Sequence, residues 1–300
     1  RSMKLPTIKQ LRYFVALTET EHFGRAAEAC FVSQSAFSNA IQELESLLEV
    51  QLVDRTNRSV TITAMGQQLA TQARLCLRDV ESLVEMARGQ REPLTGELHL
   101  GVIPTIAPFL LPAALPKLRR KYPKLELYLH EDQSQRIYDR LMDGELDVLL
   151  LALPYDMRGV EIMPLFEDRF ALAYRHGTKR VDPDNYRFSR LDADSILLLE
   201  DGHCLRDHAL AACKIRNTQK VRRIGASSIL TLVEMVDADL GITFLPELAR
   251  NSLILKNTRV RMKPLEENSY RTIGLAWRKG TDREEEFRML GEFMAEQHTS

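Results

Sequence analysis

A chain of 300 residues is longer than one ordinary domain and is sufficient for two or three domains, each with a buried core. The formal net charge is −1 and 44% of the residues are hydrophobic, which excludes a polycationic or acidic disordered protein. Four cysteines are too few for a disulfide-stapled secreted scaffold and favour the reducing cytoplasm.

No targeting or membrane-spanning segment is predicted. The start lacks a charged stretch followed by an apolar stretch, and no apolar run approaches the ~18 residues that a membrane span needs. Arg1 and Ser2 precede a methionine and are interpreted as an expression remnant. A membrane is therefore not an expected partner.

The first predicted helix begins after Thr7. Thr7 and Gln10 have the spacing of a capping box, and Leu11, Phe14 and Val15 follow with helical periodicity. A second, short helix is predicted to follow.

The second helix, over 25–30, leads to Ser33, a residue suited to cap a third helix. The third helix has an inward stripe of Phe37, Ile41, Leu44 and Leu48, and its outward face holds Gln34, Ser35, Ser38, Asn39 and Gln42. A small neutral polar face is by itself most often only solvated. The following segments, 52–55 and 60–63, alternate like a hairpin, and together these elements predict a winged helix-turn-helix.

The sequence AAEACFVSQSAFSNAIQELESLLEVQLVDRTNRSVTITAMG (26–66) resembles the signature of LysR-type transcriptional regulators. This resemblance implies that the third helix enters the major groove of double-stranded DNA while hairpin arginines bind phosphates. The implied DNA-binding residues are Ser33, Gln34, Ser35, Ser38, Gln42, Arg55 and Arg58.

This region departs from the LysR signature at two positions. Ser35 stands where a proline is usual, and Glu49 replaces the glycine that commonly ends the helix, so we expect the helix to end differently. Residues 4–64 hold six Lys or Arg against seven Asp or Glu. Affinity for DNA is therefore expected from placed arginines, helix amides and the pairing of two copies.

A long helix is predicted after the hairpin. Its apolar residues recur at alternating spacings of four and three, as in a coiled-coil seam: Leu69, Ala73, Cys76, Val80, Leu83 and Ala87. The stripe fits either a buried core helix or a dimer interface. The free-standing hairpin before it and the Gly89 to Pro93 segment after it favour a dimer. Cys30 and Cys76 are interpreted as small apolar core residues.

From residue 97 strands and helices alternate, which predicts parallel sheets in two α/β lobes with a cleft between them. The predicted strands cover 98–103, 125–129, 148–153, 170–174, 195–199, 221–224, 241–245 and 272–277. Predicted helices end near 122 and 143, cover 203–213, and begin at 227 and 282.

The regulatory half of LysR-type regulators is a similar periplasmic-binding-protein-like (Rossmann-like) pair of lobes, so the resemblance covers the whole chain. It implies three parts: a winged helix-turn-helix domain over 4–64, a linker or dimerisation helix over 65–92, and a regulatory domain over 93–300. Lobe I of the regulatory domain is expected over 96–167 and 268–300, and lobe II over 168–267.

The segment HCLRDHALAAC (203–213) is predicted to be one helix that holds Cys204 and Cys213 apart. Nine residues of helix separate them by ~13 Å along the axis and about half a turn. A disulfide tolerates Cα separations only up to ~7 Å. If these cysteines form a disulfide, the helix must unfold.

Within the LysR family, this chain resembles the peroxide-sensing members. The segments that carry this resemblance are GVIPTIAPFLLP (101–112), PKLELYLHEDQS (123–134), LLEDGHCLRDHALAAC (198–213), GITFLP (241–246) and YRTIGLAWR (270–278). The resemblance implies that Cys204 is the peroxidatic cysteine and Cys213 the resolving cysteine. It also places Thr105 in the peroxide pocket, and Ser134 where a second hydroxyl residue is usual.

The residue types fit this chemistry. Cys204 begins a helix and precedes Arg206, so helix amides and a guanidinium are expected to lower its pKa below the usual ~8.5. Thr105 and Ser134 could hold peroxide, and His203 and Asp207 could orient Arg206 or water. The expected product is a Cys204 sulfenic acid, which condenses with Cys213 after the helix opens.

Other interpretations stay open from the residues alone. The cleft could bind a small metabolite, the chain could be a thiol peroxidase, or it could be a solute-binding protein, although the last two leave the winged helix unexplained. Zinc is not predicted, because only Cys204 and His208 share a helix face, and no cofactor is expected.

The resemblance implies several partners. They are promoter DNA, hydrogen peroxide, a second copy bound through the linker helix, a tetramer, RNA polymerase, and thiol reductants of the glutaredoxin or thioredoxin type.

Overall fold

The structure is a computed structural model that describes residues 4–56, 59–88 and 92–299. The chain forms two compact units, one of Arg1–Arg91 with Met142–Glu145 and one of Glu92–Leu141 with Leu146–Ser300. No helix in the described ranges is long and apolar enough to cross a bilayer.

The first unit is a winged helix-turn-helix followed by a long helix. Its elements are α1 (Ile8–Thr20), α2 (Phe23–Ala29), α3 (Gln34–Leu48), β1 (Val53–Arg55), β2 (Val60–Ile62) and α4 (Ala64–Ala87). β1 and β2 pair antiparallel as the predicted wing.

The predicted starts of the first and third helices are confirmed. Thr7 Oγ1 accepts from the Gln10 backbone N–H at 3.2 Å, and Gln10 Oε1 accepts from the Thr7 N–H at 2.9 Å, which completes the capping box of α1. Ser33 Oγ accepts from the Ala36 N–H at 3.2 Å and caps α3. The inward stripe of α3 is fully buried at Phe37, Ile41 and Leu44.

The expected change at the end of α3 is wrong. Glu49 adopts the left-handed conformation, with φ 55° and ψ 34°, and its N–H binds the Glu45 carbonyl. The helix therefore ends as it would with glycine, although a left-handed residue with a Cβ costs roughly 1–2 kcal/mol. Phe31, in the turn before α3, is also left-handed and its side chain is 96% exposed.

Helix α4 changes character along its length. Its start is fixed by Thr63, whose Oγ1 accepts from the Gly66 N–H at 2.9 Å, and Ala70 and Ala73 are buried. Further along, the apolar Leu83 and Met86 are 67% and 76% exposed. Cys30 and Cys76, the two cysteines interpreted as core residues, are each half-buried.

The second unit is the two-lobed α/β part of the chain. Its strands are β3 (Gly96–Val102), β4 (Leu125–Glu131), β5 (Val148–Leu153), β6 (Val160–Arg175), β7 (Thr243–Pro246), β8 (Val260–Pro264) and β9 (Tyr270–Arg278). Its α-helices are α5 (Ala107–Lys121), α6 (Ser134–Met142), α7 (Cys204–Ala212), α8 (Ile229–Asp237) and α9 (Glu284–Thr299). Short 3₁₀ helices occur at Pro183–Asn185, Phe188–Arg190, Thr218–Lys220 and Glu247–Ala249.

The sheet is mixed, which corrects the expectation of parallel sheets. Within the described residues seven strands join in the order β4-β3-β5-β9-β6-β7, with β8 also on β6. Only β4 and β5 run parallel to β3, while β9 pairs antiparallel with both β5 and β6. The long β6 pairs with β9 in lobe I and with β7 and β8 in lobe II, so it connects the two lobes.

Two predicted strands, 195–199 and 221–224, are wrong. The backbone there makes only isolated parallel bridges, of Ile196 with Val221 and Ile242 and of Leu199 with Ala226. The first segment is a buried apolar run in the core of lobe II, so its composition mimics that of a strand. Conversely, the first half of β6 was not predicted, because its register shift near Pro164 interrupts the alternation.

Candidate functional site

The predicted helix between the two cysteines is intact. Helix α7 begins at Cys204 and ends at Ala212, with His203 and Cys213 as its cap residues. Both thiols are free and each cysteine is 8% exposed. With ~1.5 Å of rise per residue, the helix holds the two residues ~13 Å apart along its axis.

Cys204 contacts Ser134 of lobe I. The Cys204 Sγ lies 2.6 Å from the Ser134 Oγ, and Ser134 is 2% exposed. Ser134 is the first residue of α6 and follows β4, so the carboxyl end of a strand delivers it to this position.

A buried ion pair lies beside this contact. Arg271 Nε binds Asp168 Oδ2 at 3.0 Å, and both side chains are fully buried. The same guanidinium donates to Thr105 at two atoms, to Oγ1 at 2.9 Å and to the carbonyl at 2.8 Å. Thr105, which is 2% exposed, is thereby held three residues beyond the end of β3.

Arg271 and Asp168 were not foreseen. They face each other across β6 and β9, and Asp168 also accepts from the Leu248 N–H at 3.1 Å. Burial raises the pKa of Asp168 and lowers the pKa of Arg271, since each charge loses water, and their mutual attraction opposes both shifts. An arginine inside the apolar YRTIGLAWR strand was the available signal.

The expected low pKa of Cys204 is wrong. Burial raises the pKa of the thiol above its ordinary value; the hydrogen bond with Ser134 and the charge of Arg271 lower it, and the Asp207 carboxylate raises it further. The arginine that acts on this thiol is Arg271, whereas Arg206 was expected.

The structure places the remaining predicted pocket residues around the start of α7. Arg206 donates from Nη1 to the Leu199 carbonyl at 3.1 Å, and its Nε lies 3.1 Å from the Asp201 carboxylate. His203 is buried and its Nε2 lies 2.9 Å from the Ser227 carbonyl. Asp207 is exposed. Ser134 therefore contacts Cys204 directly, and Arg271, whose charge acts on this thiol, holds Thr105. The Arg206 side chain instead contacts Leu199 and Asp201.

Cys213 lies in the apolar core of lobe II. Burial raises the pKa of its thiol to about 12, with a further contribution from Glu267. Tyr186 is close enough for the charge of Cys213 to raise the pKa of its phenol, although burial is the larger cause. In this state Cys213 is a protonated, weak nucleophile.

The candidate DNA-binding residues lie at the start and along the open face of α3. Ser33 is occupied as the helix cap, Gln34, Ser35 and Gln42 are exposed, and Ser38 is half-buried.

On the wing, Arg55 is 3.7 Å from Glu45 and its guanidinium lies 4.9 Å from the ring centre of Phe23. Arg58, also expected to bind phosphate, lies outside the described residues.

Neither unit gathers three or more His, Cys, Asp or Glu side chains in a metal-binding arrangement within the described ranges.

Two family descriptions match the chain. "LysR substrate binding domain" matches residues 91–299, and "Bacterial regulatory helix-turn-helix protein, lysR family" matches residues 8–67.

Relatives match along nearly the whole length. The HTH-type transcriptional regulator EstR of Acinetobacter baylyi is 44% identical over 288 residues, covering 95% of this chain and 95% of EstR. OxyR of Escherichia coli, a DNA-binding transcriptional dual regulator, is 40% identical over 285 residues, covering 95% and 93%. A hydrogen peroxide-inducible genes activator of Escherichia coli matches with the same identity and coverage.

A solved structure is also similar throughout. Full-length OxyR from Pseudomonas aeruginosa, in a cysteine-to-aspartate variant, has a TM-score of 0.83 at 32% identity and covers 97% of this chain and 95% of its own.

Proposed function

The chain belongs to the LysR family of bacterial transcriptional regulators, and from that premise we propose that it senses hydrogen peroxide through Cys204 and Cys213. Oxidation forms a disulfide between them, refolds the regulatory domain and changes the binding to promoter DNA and the transcription of oxidative-stress genes. The similarity to OxyR supports this proposal.

One observation carries the proposal: the Cys204 thiol is hydrogen-bonded to Ser134 where the two lobes meet. The charge of Arg271, which holds Thr105, acts on the same thiol. Cys204, Ser134, Thr105 and Arg271 are each at most 8% exposed. So closed a site favours a molecule as small as peroxide over a larger metabolite. It also presents two hydroxyls and a guanidinium, which are suited to hold peroxide oxygens.

The first proposed step is attack by sulfur on peroxide. The Cys204 sulfur forms a bond to one oxygen, the O–O bond breaks, and the departing hydroxide combines with the thiol proton to give water. Thr105 Oγ1 accepts from Arg271, so its own O–H is available to donate to the departing oxygen. The sulfur is thereby oxidised to Cys204–SOH.

The second proposed step needs α7 to open. Once the helix unfolds, the Cys213 sulfur reaches Cys204–SOH, an S–S bond forms, and the hydroxyl leaves with the Cys213 proton as water. Opening also exposes Cys213, whose thiol burial otherwise keeps protonated. Two thiols of a glutaredoxin- or thioredoxin-type reductant in the cytoplasm would restore the reduced protein.

The proposed readout is on DNA. Two copies pair through α4, where Leu83 and Met86 are exposed, and a tetramer with contact to RNA polymerase is part of the proposal. The helix-turn-helix residues Ser33, Gln34, Ser35, Ser38 and Gln42 would read bases, with Arg55 and Arg58 on phosphates.

The test is mass mapping of cysteine linkages after limiting peroxide, together with a DNA footprint. We expect a Cys204–Cys213 link and a changed footprint in the wild type, and neither in Cys204→Ser. The matched control is Cys76→Ser, which should still form the Cys204–Cys213 link. A footprint change that persists in Cys204→Ser would overturn the proposal.

The chain is 44% identical to EstR, an HTH-type transcriptional regulator, against 40% to OxyR, so we keep a second candidate function for a LysR-type regulator. In that case a small metabolite binds between the lobes and the cysteines are structural. The same Cys204→Ser variant distinguishes the two, because the metabolite response would survive it. A thiol peroxidase is set apart by sustained turnover of peroxide with a thiol recycling system.

A further inference from the structure

His208 is a buried residue of α7 that the proposed chemistry leaves unused. It is 7% exposed and lies one turn after Cys204, on the same helix face. Its Nε2 lies 2.7 Å from the Pro154 carbonyl, just beyond β5 of lobe I. The side chain therefore connects α7, which belongs to lobe II, to the opposite lobe.

This hydrogen bond fixes the protonation of the ring. A carbonyl only accepts, so Nε2 carries a proton and donates it to Pro154. The other nitrogen, Nδ1, is buried and meets no hydrogen-bond partner among the described residues. A proton on Nδ1 would place an unpaired donor and a charge in the interior, so the ring is neutral here.

The surrounding charges agree with a neutral ring. Burial lowers the pKa of His208, and the charge of Arg271 on β9 lowers it further, while the Pro154 hydrogen bond and the Asp207 carboxylate act in the opposite direction. The negative charge of Asp168 on β6 is taken up by Arg271, and Tyr155, next to Pro154, is bonded to Gln135.

We propose that His208 is a positioning residue for the Cys204 thiol, which it holds against lobe I through Pro154 as a neutral imidazole, and that opening of α7 releases this ring to water, where it binds a proton. This inference rests on the proposed function, since it concerns the same helix and the same disulfide. Its consequence is that the protonation of His208 adds a pH dependence of its own to the formation of the disulfide.

The direction of this pH dependence follows from the pKa of His208 in the helical and in the opened state of α7. In the helical state the pKa of His208 is lowered, and in the opened state it returns to about 6.5, the usual value for histidine. Between the lowered pKa of the helical state and that pH, the opened state binds one proton more than the helical state, so protonation of His208 favours the opened state and partly offsets the general effect of acid against the disulfide. Above that pH both states are neutral at His208 and the effect vanishes.

The proton balance makes this measurable. Oxidation of two protonated thiols to a disulfide releases two protons and two electrons, so the equilibrium constant changes about a hundredfold per pH unit. Below pH ~6.5 the uptake of one proton by His208 leaves a net release of one, and the change becomes about tenfold per pH unit. That difference corresponds to about 30 mV per pH unit in the midpoint potential.

The experiment equilibrates the full-length protein with dithiol/disulfide buffers from pH 5.5 to 8 and measures the Cys204–Cys213 disulfide by alkylation and mass. When the midpoint potential of the disulfide is plotted against pH, the wild type should show a change of slope near pH 6.5. His208→Gln, which keeps an N–H donor for Pro154 but cannot titrate, should show one slope throughout. The control His176→Gln, at an exposed position of lobe II, should keep the change of slope.

A second measurement tests the positioning role. With peroxide in excess, His208→Gln should oxidise Cys204 at close to the wild-type rate, whereas His208→Ala, which lacks the donor, should be slower by about fivefold, the equivalent of about 1 kcal/mol for one hydrogen bond.

Ring titration of wild-type His208 by NMR decides the matter if either variant folds poorly. The ring should titrate near pH 6.5 only in the oxidised protein. This inference alone is overturned if the midpoint potential has the same pH dependence in the wild type and His208→Gln. It is also overturned if the ring titrates alike in the reduced and the oxidised protein. If no Cys204–Cys213 disulfide forms at all, the proposed function and this inference both fail.

Discussion

The hydroxyl of Ser134 lies 2.6 Å from the sulfur of Cys204, although 70 positions of sequence separate them. Ser134 comes from lobe I and Cys204 from lobe II, and both are nearly inaccessible to water. The contact has a chemical consequence, because it opposes the burial that raises the pKa of the thiol. The pKa of Cys204 therefore depends on a residue of the other lobe.

Replacement of Ser134 by alanine removes this hydrogen bond. A hydrogen bond to a charged group contributes about 1.5–3 kcal/mol, so the thiol pKa should rise by about one to two units. At pH 7 the reaction of Cys204 with peroxide should slow about tenfold or more. The rate is measured in a Cys213→Ser background with a sulfenic-acid probe, and Ser134→Thr, which keeps the hydroxyl, is the control. Equal rates in the alanine and threonine variants would contradict the prediction.

The rate of Cys204 oxidation should also rise with pH. Burial raises the pKa of the thiol, so only a small fraction is thiolate at neutral pH. That fraction grows about tenfold per pH unit until the pKa is reached. Stopped-flow measurements from pH 6 to 8 should show this increase without a plateau, and a plateau already below pH 7 would mean that the thiol is ionised there.

The Asp168–Arg271 pair should be strongly coupled in stability. Arg271→Met leaves the Asp168 carboxylate buried and unpaired, which should cost about 3–5 kcal/mol in the free energy of unfolding. Asp168→Leu combined with Arg271→Met should recover much of that loss. The control is Arg288→Met, which breaks a half-exposed pair with Glu284 and should cost at most about 1 kcal/mol. Denaturant unfolding of the wild type and these three variants provides the test, and a double variant no more stable than Arg271→Met alone would refute the coupling.

Glu49→Gly should stabilise the winged helix-turn-helix. Glu49 is left-handed, and glycine adopts this conformation without the penalty of a Cβ, so a gain of about 1 kcal/mol is expected. Glu43→Gly, at an exposed position inside the same helix, should instead lose about 1 kcal/mol. Thermal unfolding separates the two, and a loss of stability in Glu49→Gly would show that its side chain has another role.

The recognition helix and the wing should respond differently in DNA binding. Against a duplex selected by the wild type from a random pool, Gln34→Ala should lose about 1–3 kcal/mol for that duplex and little for unrelated DNA. Arg55→Gln should weaken binding to both duplexes equally and reduce the number of counterions released on binding by about one. Titrations at several salt concentrations measure both effects, and an equal loss on both duplexes for Gln34→Ala would exclude base reading by that residue.

Local patterns were sufficient for much of the fold. The Thr7 capping box, the Ser33 cap and the stripe of α3 each involve residues of one helix or its cap, so their spacing in sequence fixes their geometry. The separation of Cys204 and Cys213 is of the same kind, because a helix sets it with no contribution from the rest of the protein. Pattern and resemblance together also identified the LysR architecture.

The antiparallel pairing of β9 with β5 and β6 could not be read from the sequence. Local alternation indicates a strand but leaves its neighbours undetermined. For the same reason the Asp168–Arg271 pair was missed, since it depends on the register of β6 against β9.

Sequence alone determined that two thiols lie on one helix too far apart to bond, because the rise of a helix is a local property. Only the tertiary structure decided how readily those thiols ionise. Burial raises the pKa of both, and the groups that modify Cys204, which are Ser134 and Arg271, come from distant segments. A pKa depends on everything within a few ångströms of the titrating atom, and that neighbourhood exists only after the lobes have packed.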